Sequence, residues 1–388
     1  MSAPKTISIL SFAALTFASL PTAHATFSSK IKGDRLILTQ TADSGAVVLD
    51  NNGGGGAFRV TDAGTTTFVV ANSVTLILLD NSNTSLTIDF DNPVVRDVRV
   101  DVGKGVRQIN FTGSSNVMGG HLEILGTNGA QTVELGVNAG LQTADLTIDL
   151  GIGFDIVEED NSNTTVIGDM LFRGVNFFEN NGEMLVTGDV VVNVAFEPES
   201  TQFDDDNNMT LMGNFTFVGG PGRDEITLNG VGTTGTVISG DVKIDLKGSS
   251  SGTQFALPNL PKTRIGGDLI VKAGKSPSDS FGLNPSAIVG GRIMVDLSNG
   301  VNDAVFAGRG GGKPITYKGG SGIDTVTFGM VTRGSTVKIN TGSGADIFNL
   351  NAGTNVNKLT VNLGGGVDNF VDAFGDPKPF KFKIKNLP

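Results

Sequence analysis

The chain has 388 residues and carries 28 Lys and Arg against 39 Asp and Glu, which gives a formal net charge of −11 at pH 7. This acidic balance argues against a nucleic-acid partner, because nucleic-acid binding requires Lys and Arg to neutralise phosphates. The lack of cysteine excludes disulfides, thiol catalysis and cysteine metal sites, and the two histidines make a His-based catalytic triad improbable.

The first 25 residues have the pattern of a signal peptide. Lys5 is followed by an apolar stretch from Ile7 to Leu20, and Ala23-His24-Ala25 is a small-x-small cleavage pattern. The stretch is shorter than the roughly 20 residues that cross a bilayer, and no later segment is as apolar. The sequence therefore predicts an exported protein, secreted, extracellular, on the cell surface or periplasmic, without a transmembrane segment.

Past the predicted cleavage site, residues 26–56 are irregular and are predicted to form an N-terminal cap and first coil. Apolar strand starts then recur every 20 to 27 residues. They fall at Val74, Val98, Leu122, Leu146, Met170, Val190, Phe215, Val242 and Leu269. Several follow a Gly-Asp pair, as at Gly168-Asp169, Gly188-Asp189, Gly240-Asp241 and Gly267-Asp268.

The repeat is clearest near the C-terminus, where a G-x-G-x-D motif occurs three times. Its aspartates, Asp324, Asp346 and Asp368, are 22 residues apart. The alternating apolar pairs before them keep the same spacing: Ile315 and Tyr317, Val337 and Ile339, Leu359 and Val361. Two features in one register indicate a structural repeat.

Two further columns accompany these strands. One has a polar residue two positions before an apolar one, with polar members Asp155, Asn176, Asp224, Asp279, Asp303, Asp324, Asp346 and Asp368. The other is a short third strand per coil, at Thr165–Ile167, Met184–Val186, Met209–Met212, Thr236–Ile238 and Ala287–Val289.

These columns predict an all-β fold, a parallel β-solenoid (β-helix) formed by a single chain, with about 14 coils of about 22–25 residues. One coil cannot bury its apolar face alone, whereas coils stacked at about 4.8 Å build a continuous core. A β-sandwich is the rival fold, but it does not explain a constant 22-residue register.

The coils are predicted to occupy residues 57–378, and residues 379–388 a C-terminal edge strand and tail. The tail alternates apolar residues with Lys381, Lys383 and Lys385, which favours an edge strand with charges outward; a basic docking tail is the alternative. Three irregular stretches are predicted to be loops that leave the rod: Glu197–Asn208, Leu257–Arg264 and Lys275–Pro285.

The aspartate column is the strongest candidate for a functional site in the sequence. In register, its members would lie in one row about 5 Å apart, and like charges so placed repel. In one interpretation each carboxylate accepts N–H groups of its own turn. In the other, Ca²⁺ lies between coils, with Asp224, Asp303, Asp324, Asp346 and Asp368 as the candidate ligands.

The motif resembles the hemolysin-type calcium-binding repeat, G-G-x-G-x-D-x-U-x. Gly219–Ile226 and Gly319–Val326 match it well. That family repeats every nine residues so that consecutive turns share an ion, whereas here the motif recurs every 22 or more. More broadly, the chain resembles secreted bacterial parallel β-helix repeat proteins, a class that includes polysaccharide lyases, glycoside hydrolases, adhesins and surface scaffolds.

Two functions follow from that resemblance. The first is a non-enzymatic structural or adhesive scaffold that is calcium-stabilised in one version and binds a surface or extracellular-matrix partner, glycans included. The second is a glycan-cleaving enzyme that uses the clusters Glu158-Glu159-Asp160 and Asp204-Asp205-Asp206. We favour the scaffold, because the chain has no Trp, one Tyr and few basic residues to bind an acidic glycan. If the two clusters lie on separate faces, the enzyme hypothesis fails.

Overall fold

The computed structural model describes residues 27–32, 35–40, 46–53, 57–62, 65–69, 75–80, 85–102, 108–113, 116–136, 140–160, 162–230, 235–246, 248–257, 263–274, 276–330, 332, 334–373 and 380–386. In these residues every regular element is a β-strand, and the strands form three sheets that run along a rod. The predicted signal segment lies outside them.

Sheet 1 has 16 strands. They are β1 (Phe27–Lys32), β2 (Arg35–Gln40), β6 (Thr75–Asp80), β8 (Val98–Val102), β11 (Leu122–Leu125), β14 (Leu146–Asp149), β17 (Met170–Arg173), β20 (Val190–Asn193), β23 (Phe215–Val218), β26 (Val242–Leu246), β29 (Leu269–Ala273), β32 (Ile293–Ser298), β35 (Ile315–Gly319), β37 (Thr336–Asn340), β39 (Lys358–Asn362) and β41 (Lys381–Lys385).

Sheet 2 also has 16 strands. They are β3 (Ala46–Gly53), β4 (Ala57–Asp62), β5 (Thr65–Val69), β7 (Ser85–Asp89), β9 (Gln108–Phe111), β12 (Thr132–Leu135), β15 (Ile156–Glu159), β18 (Phe177–Asn180), β21 (Thr201–Asp205), β24 (Asp224–Leu228), β27 (Thr253–Leu257), β30 (Ser278–Leu283), β33 (Val301–Phe306), β36 (Asp324–Phe328), β38 (Ile347–Leu350) and β40 (Asn369–Asp372).

Sheet 3 is shorter, with nine strands. They are β10 (Asn116–Val117), β13 (Leu141–Thr143), β16 (Asn163–Val166), β19 (Glu183–Val186), β22 (Asn208–Leu211), β25 (Val237–Ile238), β28 (Arg264–Ile265), β31 (Ile288–Val289) and β34 (Arg309–Gly310). The five predicted third-strand segments overlap β16, β19, β22, β25 and β31 of this sheet, so the third column is confirmed.

The parallel β-solenoid predicted from the repeat is confirmed. Each strand of sheet 1 from β8 to β39 pairs in parallel with the strand one coil further along, as Leu122 does with Leu146. Eight predicted strand starts coincide with the first residue of a strand, and β6 begins one residue after Val74. Parallel neighbours one coil apart exclude the β-sandwich.

The structure has about 11 turns, slightly fewer than the 14 predicted. The N-terminal end accounts for part of the difference, because antiparallel strands replace coils there. In sheet 1, β1 pairs antiparallel with β2; in sheet 2, β3, β4 and β5 pair antiparallel in succession. An antiparallel end strand can close a stack without adding a further coil.

Side chains at alternate positions of each strand fill the interior. Phe178 and Phe203 stack with ring centroids 4.5 Å apart, and Phe348 and Phe370 with centroids 5.9 Å apart. Phe348 is fully buried. Stacked aromatic rings thus repeat inside the rod at the coil spacing, as the sequence columns predicted.

Two of the predicted loops are wrong in part. The stretch Glu197–Asn208 contains β21, and Lys275–Pro285 contains β30; both strands pair in parallel with their neighbours on either side. In each stretch a proline lies before the strand, at Pro198 and at Pro277. A proline before a strand leaves the hydrogen-bond ladder intact. The third stretch, Leu257–Arg264, lies mostly outside the described residues.

In the part of the chain that the structure describes, no helix is long and apolar enough to cross a membrane.

Candidate functional site

The predicted aspartate column exists, and it faces the interior of the rod. We call it the inner row: it is formed by a residue within one position of the start of each sheet 2 strand from β12 to β40, and its members are Gln131, Asp155, Asn176, Thr201, Asp224, Thr253, Asp279, Asn302, Asp324, Asp346 and Asp368. Its six aspartates are at most 7% exposed. The row therefore belongs to the core and not to an outer surface.

Asp303 is not part of this row, and its placement there was wrong. Asn302 pairs with Asp279 on one side and with Asp324 on the other, whereas Asp303 is exposed on the outer face. The choice between neighbouring residues was decided by packing. Ala304 and Phe306 point inward, and Phe306 fills the space beside Phe281 with ring centroids 5.0 Å apart.

The inner row ties neighbouring coils together. The Oδ1 atoms of Asp346 and Asp368 accept the backbone N–H groups of Asp324 and Asp346, at 2.9 and 3.0 Å. Near the other end, Asp155 Oδ1 accepts the N–H of Gln131 at 2.8 Å. One of the two sequence interpretations had each carboxylate accept N–H groups of its own turn; these three aspartates instead accept N–H groups of the preceding coil. This arrangement holds coils in register and satisfies N–H groups that stacking buries.

Burial disfavours the charged form of these carboxyls. It raises the pKa of Asp155, Asp224 and Asp324 to about 7, and it also raises the pKa of Asp279. At Asp324 the neighbouring Asp346 raises the pKa further, while the side-chain amide of Asn302, 2.8 Å from Oδ1, opposes the shift. Part of the row is thus uncharged near neutral pH, which lowers the repulsion between coils.

Within the described residues, no group of three or more His, Cys, Asp or Glu side chains is arranged to hold a metal ion. Four predicted ligands, Asp224, Asp324, Asp346 and Asp368, lie in the inner row, and the fifth, Asp303, lies on the outer face. Calcium binding by these residues stays a prediction from the sequence.

The two acidic clusters of the enzyme hypothesis are strand ends, not loops, and their side chains alternate between the two faces. The middle residues, Glu159 and Asp205, are fully buried. Burial raises the pKa of Glu159 to about 7 and that of Asp205 to about 6. Ser162 Oγ donates to Glu159 at 2.7 Å, and the amide of Asn180 donates to Asp205 at 2.7 Å. These two carboxyls therefore form part of the core.

The first residue of each cluster, Glu158 and Asp204, lies on one outer face. Glu134, Glu158, Glu179 and Asp204 occupy equivalent positions on β12, β15, β18 and β21, and we call them the outer acidic row. All four are half-buried. Burial raises the pKa of Glu158, with further increases from Glu134 and Glu179. The two clusters thus lie on the same face, joined through Glu179, and the geometric test leaves the enzyme hypothesis standing.

A third row was visible in the sequence only as Gly-Asp pairs. The row lies at the corner before sheet 1, where the side-chain Oδ1 of each member accepts the backbone N–H of the equivalent residue one coil further along. The N···O distances are 2.7–2.9 Å, and the pairs, with the acceptor first, are Asp145 and Asp169, Asp169 and Asp189, Asp189 and Asn214, Asn214 and Asp241, and Asp241 and Asp268. A glycine stands before the corner residue because a side chain there would collide with the preceding coil. A Cβ added at Gly188, for example, would lie 2.2 Å from Asp169 Oδ1. The pair therefore forms a structural corner.

His121 lies at this corner as well, half-exposed, with Nδ1 3.8 Å from Asp145 Oδ2. Its backbone N–H donates to Asp97 Oδ1 at 2.9 Å. This is the position of a corner residue in the same row.

Comparison with protein-family models, with curated proteins and with solved structures finds no match for this chain. The functional argument therefore depends on the geometry of its own residues.

Proposed function

We propose that this protein is an exported, non-enzymatic scaffold with a structural or adhesive role at a surface or in an extracellular matrix. One observation carries the proposal: Asp155, Asp346 and Asp368 of the inner row and the aspartates of the Gly-Asp corner accept backbone N–H groups of adjoining coils. Carboxylates used in this way stabilise a long rigid rod, and they are not free to act on a substrate.

The alternative is a β-helix enzyme that cleaves glycans, and the outer acidic row favours it. Adjacent members of the row are one coil apart, about 4.8 Å along the sheet. Retaining glycosidases place their two carboxyls about 5–5.5 Å apart, one as nucleophile and one as acid. The raised pKa of Glu158 suits a proton donor.

An activity assay separates the two proposals. The purified protein is incubated with neutral and acidic polysaccharides, and new reducing ends and unsaturated uronates are measured. The scaffold proposal predicts neither product. Cleavage that is lost in Glu158→Gln and Glu179→Gln but kept in the matched variant Glu183→Gln, an exposed residue of sheet 3 outside the row, would replace the scaffold by the enzyme.

The calcium prediction has its own measurement, a thermal melt with chelator and then with millimolar calcium. A ligand that binds only the folded state stabilises it by about 2.7 kcal/mol at one hundred times its Kd. A higher melting temperature in calcium would make the protein a calcium-dependent extracellular module. An unchanged melting temperature would mean that hydrogen bonds alone hold the inner row.

A further inference from the structure

The turns between sheets 1 and 2 differ in length, and the difference creates a notch in the side of the rod. The turn after β14 has six residues (150–155) and that after β20 has seven (194–200), whereas the turn after β17, which lies between them, has only three (174–176). This coil is the shortest in the repeat, with 20 residues from Met170 to Val190. A short turn between two long ones leaves an open space above it.

The notch has a volume of about 490 Å³. Its floor contains Gly174, with φ +63°, whose backbone lies against the coil before it; a Cβ there would lie 2.1 Å from Gly151 O. Its walls carry apolar side chains of the long turns, Ile152 on one side and Phe196 on the other. Ile152 is 50% and Phe196 84% exposed. The backbone of the floor thus excludes side chains, and the walls present apolar surface to solvent.

Polar groups converge on the same notch. Arg173 Nη1 lies 3.7 Å from Asp149 Oδ2, and Asn193 is beside them. Glu197 is 2% exposed and its carboxyl accepts the N–H of Gly153, while its buried Oε2 has no hydrogen-bond partner among the described residues. Glu197 lines the notch, so a ligand or a water molecule bound there is a suitable donor for its unpartnered carboxyl oxygen.

A second depression of about 210 Å³ is lined by the exposed Phe154 and by Ser200, which belong to the same two long turns that form the walls of the notch. It is also lined by the ring of Phe177 and by Gln202, Arg223 and Glu225. Arg223 lies 3.5 Å from Glu225 and donates to Gln254 at 3.4 Å. Apolar rings therefore alternate with fixed hydrogen-bond donors and acceptors over several coils.

The charges of this surface select the ligand class. Each arginine is offset by a neighbouring carboxylate, Arg173 by Asp149 and Arg223 by Glu225, and the whole chain is acidic. An anionic polymer would meet no uncompensated positive charge here. Hydroxyl groups, by contrast, can both donate to the carboxylates and accept from the guanidinium groups, and the C–H face of a sugar ring can lie on an exposed phenyl ring.

We propose that the notch and the adjoining depression, together the lateral groove, bind successive units of a neutral polysaccharide that runs along the rod. Phe154 and Phe196 form the apolar platforms, Arg173 and Arg223 donate to sugar hydroxyls, and Glu197 accepts from a hydroxyl at the floor of the notch. This inference rests on the proposed function and names the partner class of the adhesive surface.

Affinity electrophoresis of the purified protein tests the groove. Native gels contain hydroxyethyl cellulose, galactomannan or laminarin as neutral probes, and polygalacturonate as the acidic comparison. We expect retardation in at least one neutral gel, weakened at least about tenfold in apparent affinity by Phe154→Ala and by Phe196→Ala. Both side chains are more than half exposed, so the melting temperature should not change.

The matched control is Val367→Ala, because Val367 is 82% exposed and lies far along the chain in the last coils. It should leave retardation unchanged. The proposal is overturned by free migration in all three neutral gels, by retardation only in polygalacturonate, or by Phe variants that bind like the wild type. Binding accompanied by cleavage in the activity assay would support the groove and overturn the scaffold. The absence of both binding and cleavage would overturn the groove and leave the scaffold proposal standing.

Discussion

The inner row and the outer acidic row are both columns of acidic side chains on sheet 2, yet their environments are opposite. Asp346 and Asp368 are buried, and their carboxyl groups accept backbone N–H groups of the preceding coil. Glu158 and Glu179 are half-exposed and face each other across the coil spacing. Successive residues of a strand point to opposite faces, so the position along the strand decides whether a stacked carboxyl contributes to stability or to a charged surface.

Loss of an aromatic ring from the interior beside the inner row should have the largest effect on the free energy of unfolding. Phe348→Ala should lower the free energy of unfolding by about 3–5 kcal/mol, because it leaves a cavity next to Phe370. Urea denaturation of the two proteins measures the loss. Val367→Ala should change little in the same experiment. A loss below about 1 kcal/mol for Phe348→Ala would contradict the internal position of this ring.

The inner row should come next in size. Asp346→Ala removes the acceptor of the Asp324 N–H and of the Thr341 hydroxyl, and should cost about 1–3 kcal/mol. Asp303→Ala, on the outer face of the same sheet, should stay within about 0.5 kcal/mol of the wild type. Equal losses in the two variants would show that burial does not separate the two faces.

The pH dependence of stability tests the burial of the inner row. The folded-state pKa of Asp155, Asp224 and Asp324 is about 7, above the value of roughly 4 in an unfolded chain. The folded state then binds more protons between these values, so these groups favour folding at pH 5 and lose that contribution as the pH rises through about 7. Denaturation at pH 5 and pH 8 should show lower stability at pH 8.

Asp324→Asn isolates one of these groups. An amide already occupies equivalent positions at Asn176 and Asn302, so the substitution fits the row. It should raise stability at pH 8 by on the order of 1 kcal/mol and reduce the difference between pH 5 and pH 8. A variant that is less stable than the wild type at pH 8 would show that the charged form is the one the fold prefers.

The outer acidic row should give the smallest effect, and one that depends on salt. Glu179→Gln removes repulsion with Glu158 and Asp204 and should stabilise the protein by about 0.5 kcal/mol at low ionic strength. The gain should disappear in high salt, because exposed charges are screened. Glu225→Gln removes an attraction to Arg223 and should not stabilise the protein at any ionic strength.

The sequence by itself determined the repeat, most strand positions and most of the inner row. Period-two alternation identified the inward residues, and the spacing of strand starts gave the parallel register. The Gly-Asp pairs marked a corner whose hydrogen bonds the sequence did not identify, because the acceptor and its N–H group belong to different coils. Local patterns thus suffice where one periodicity fixes both the strand and its face.

Tertiary structure alone decided the rest. Asn302 and Asp303 are equally polar, and the packing of Phe306 against Phe281 selected which one faces inward. Two features arise only when coils of different length are stacked. One is the row in which Glu179 lies between Glu158 and Asp204, and the other is the notch above Gly174. A shift of one residue along a strand exchanges its inward and outward side chains, so the inward residue depends on how the strand packs. Groups in separate coils become neighbours only through stacking, so the outer acidic row and the notch cannot be predicted from the sequence of one coil alone.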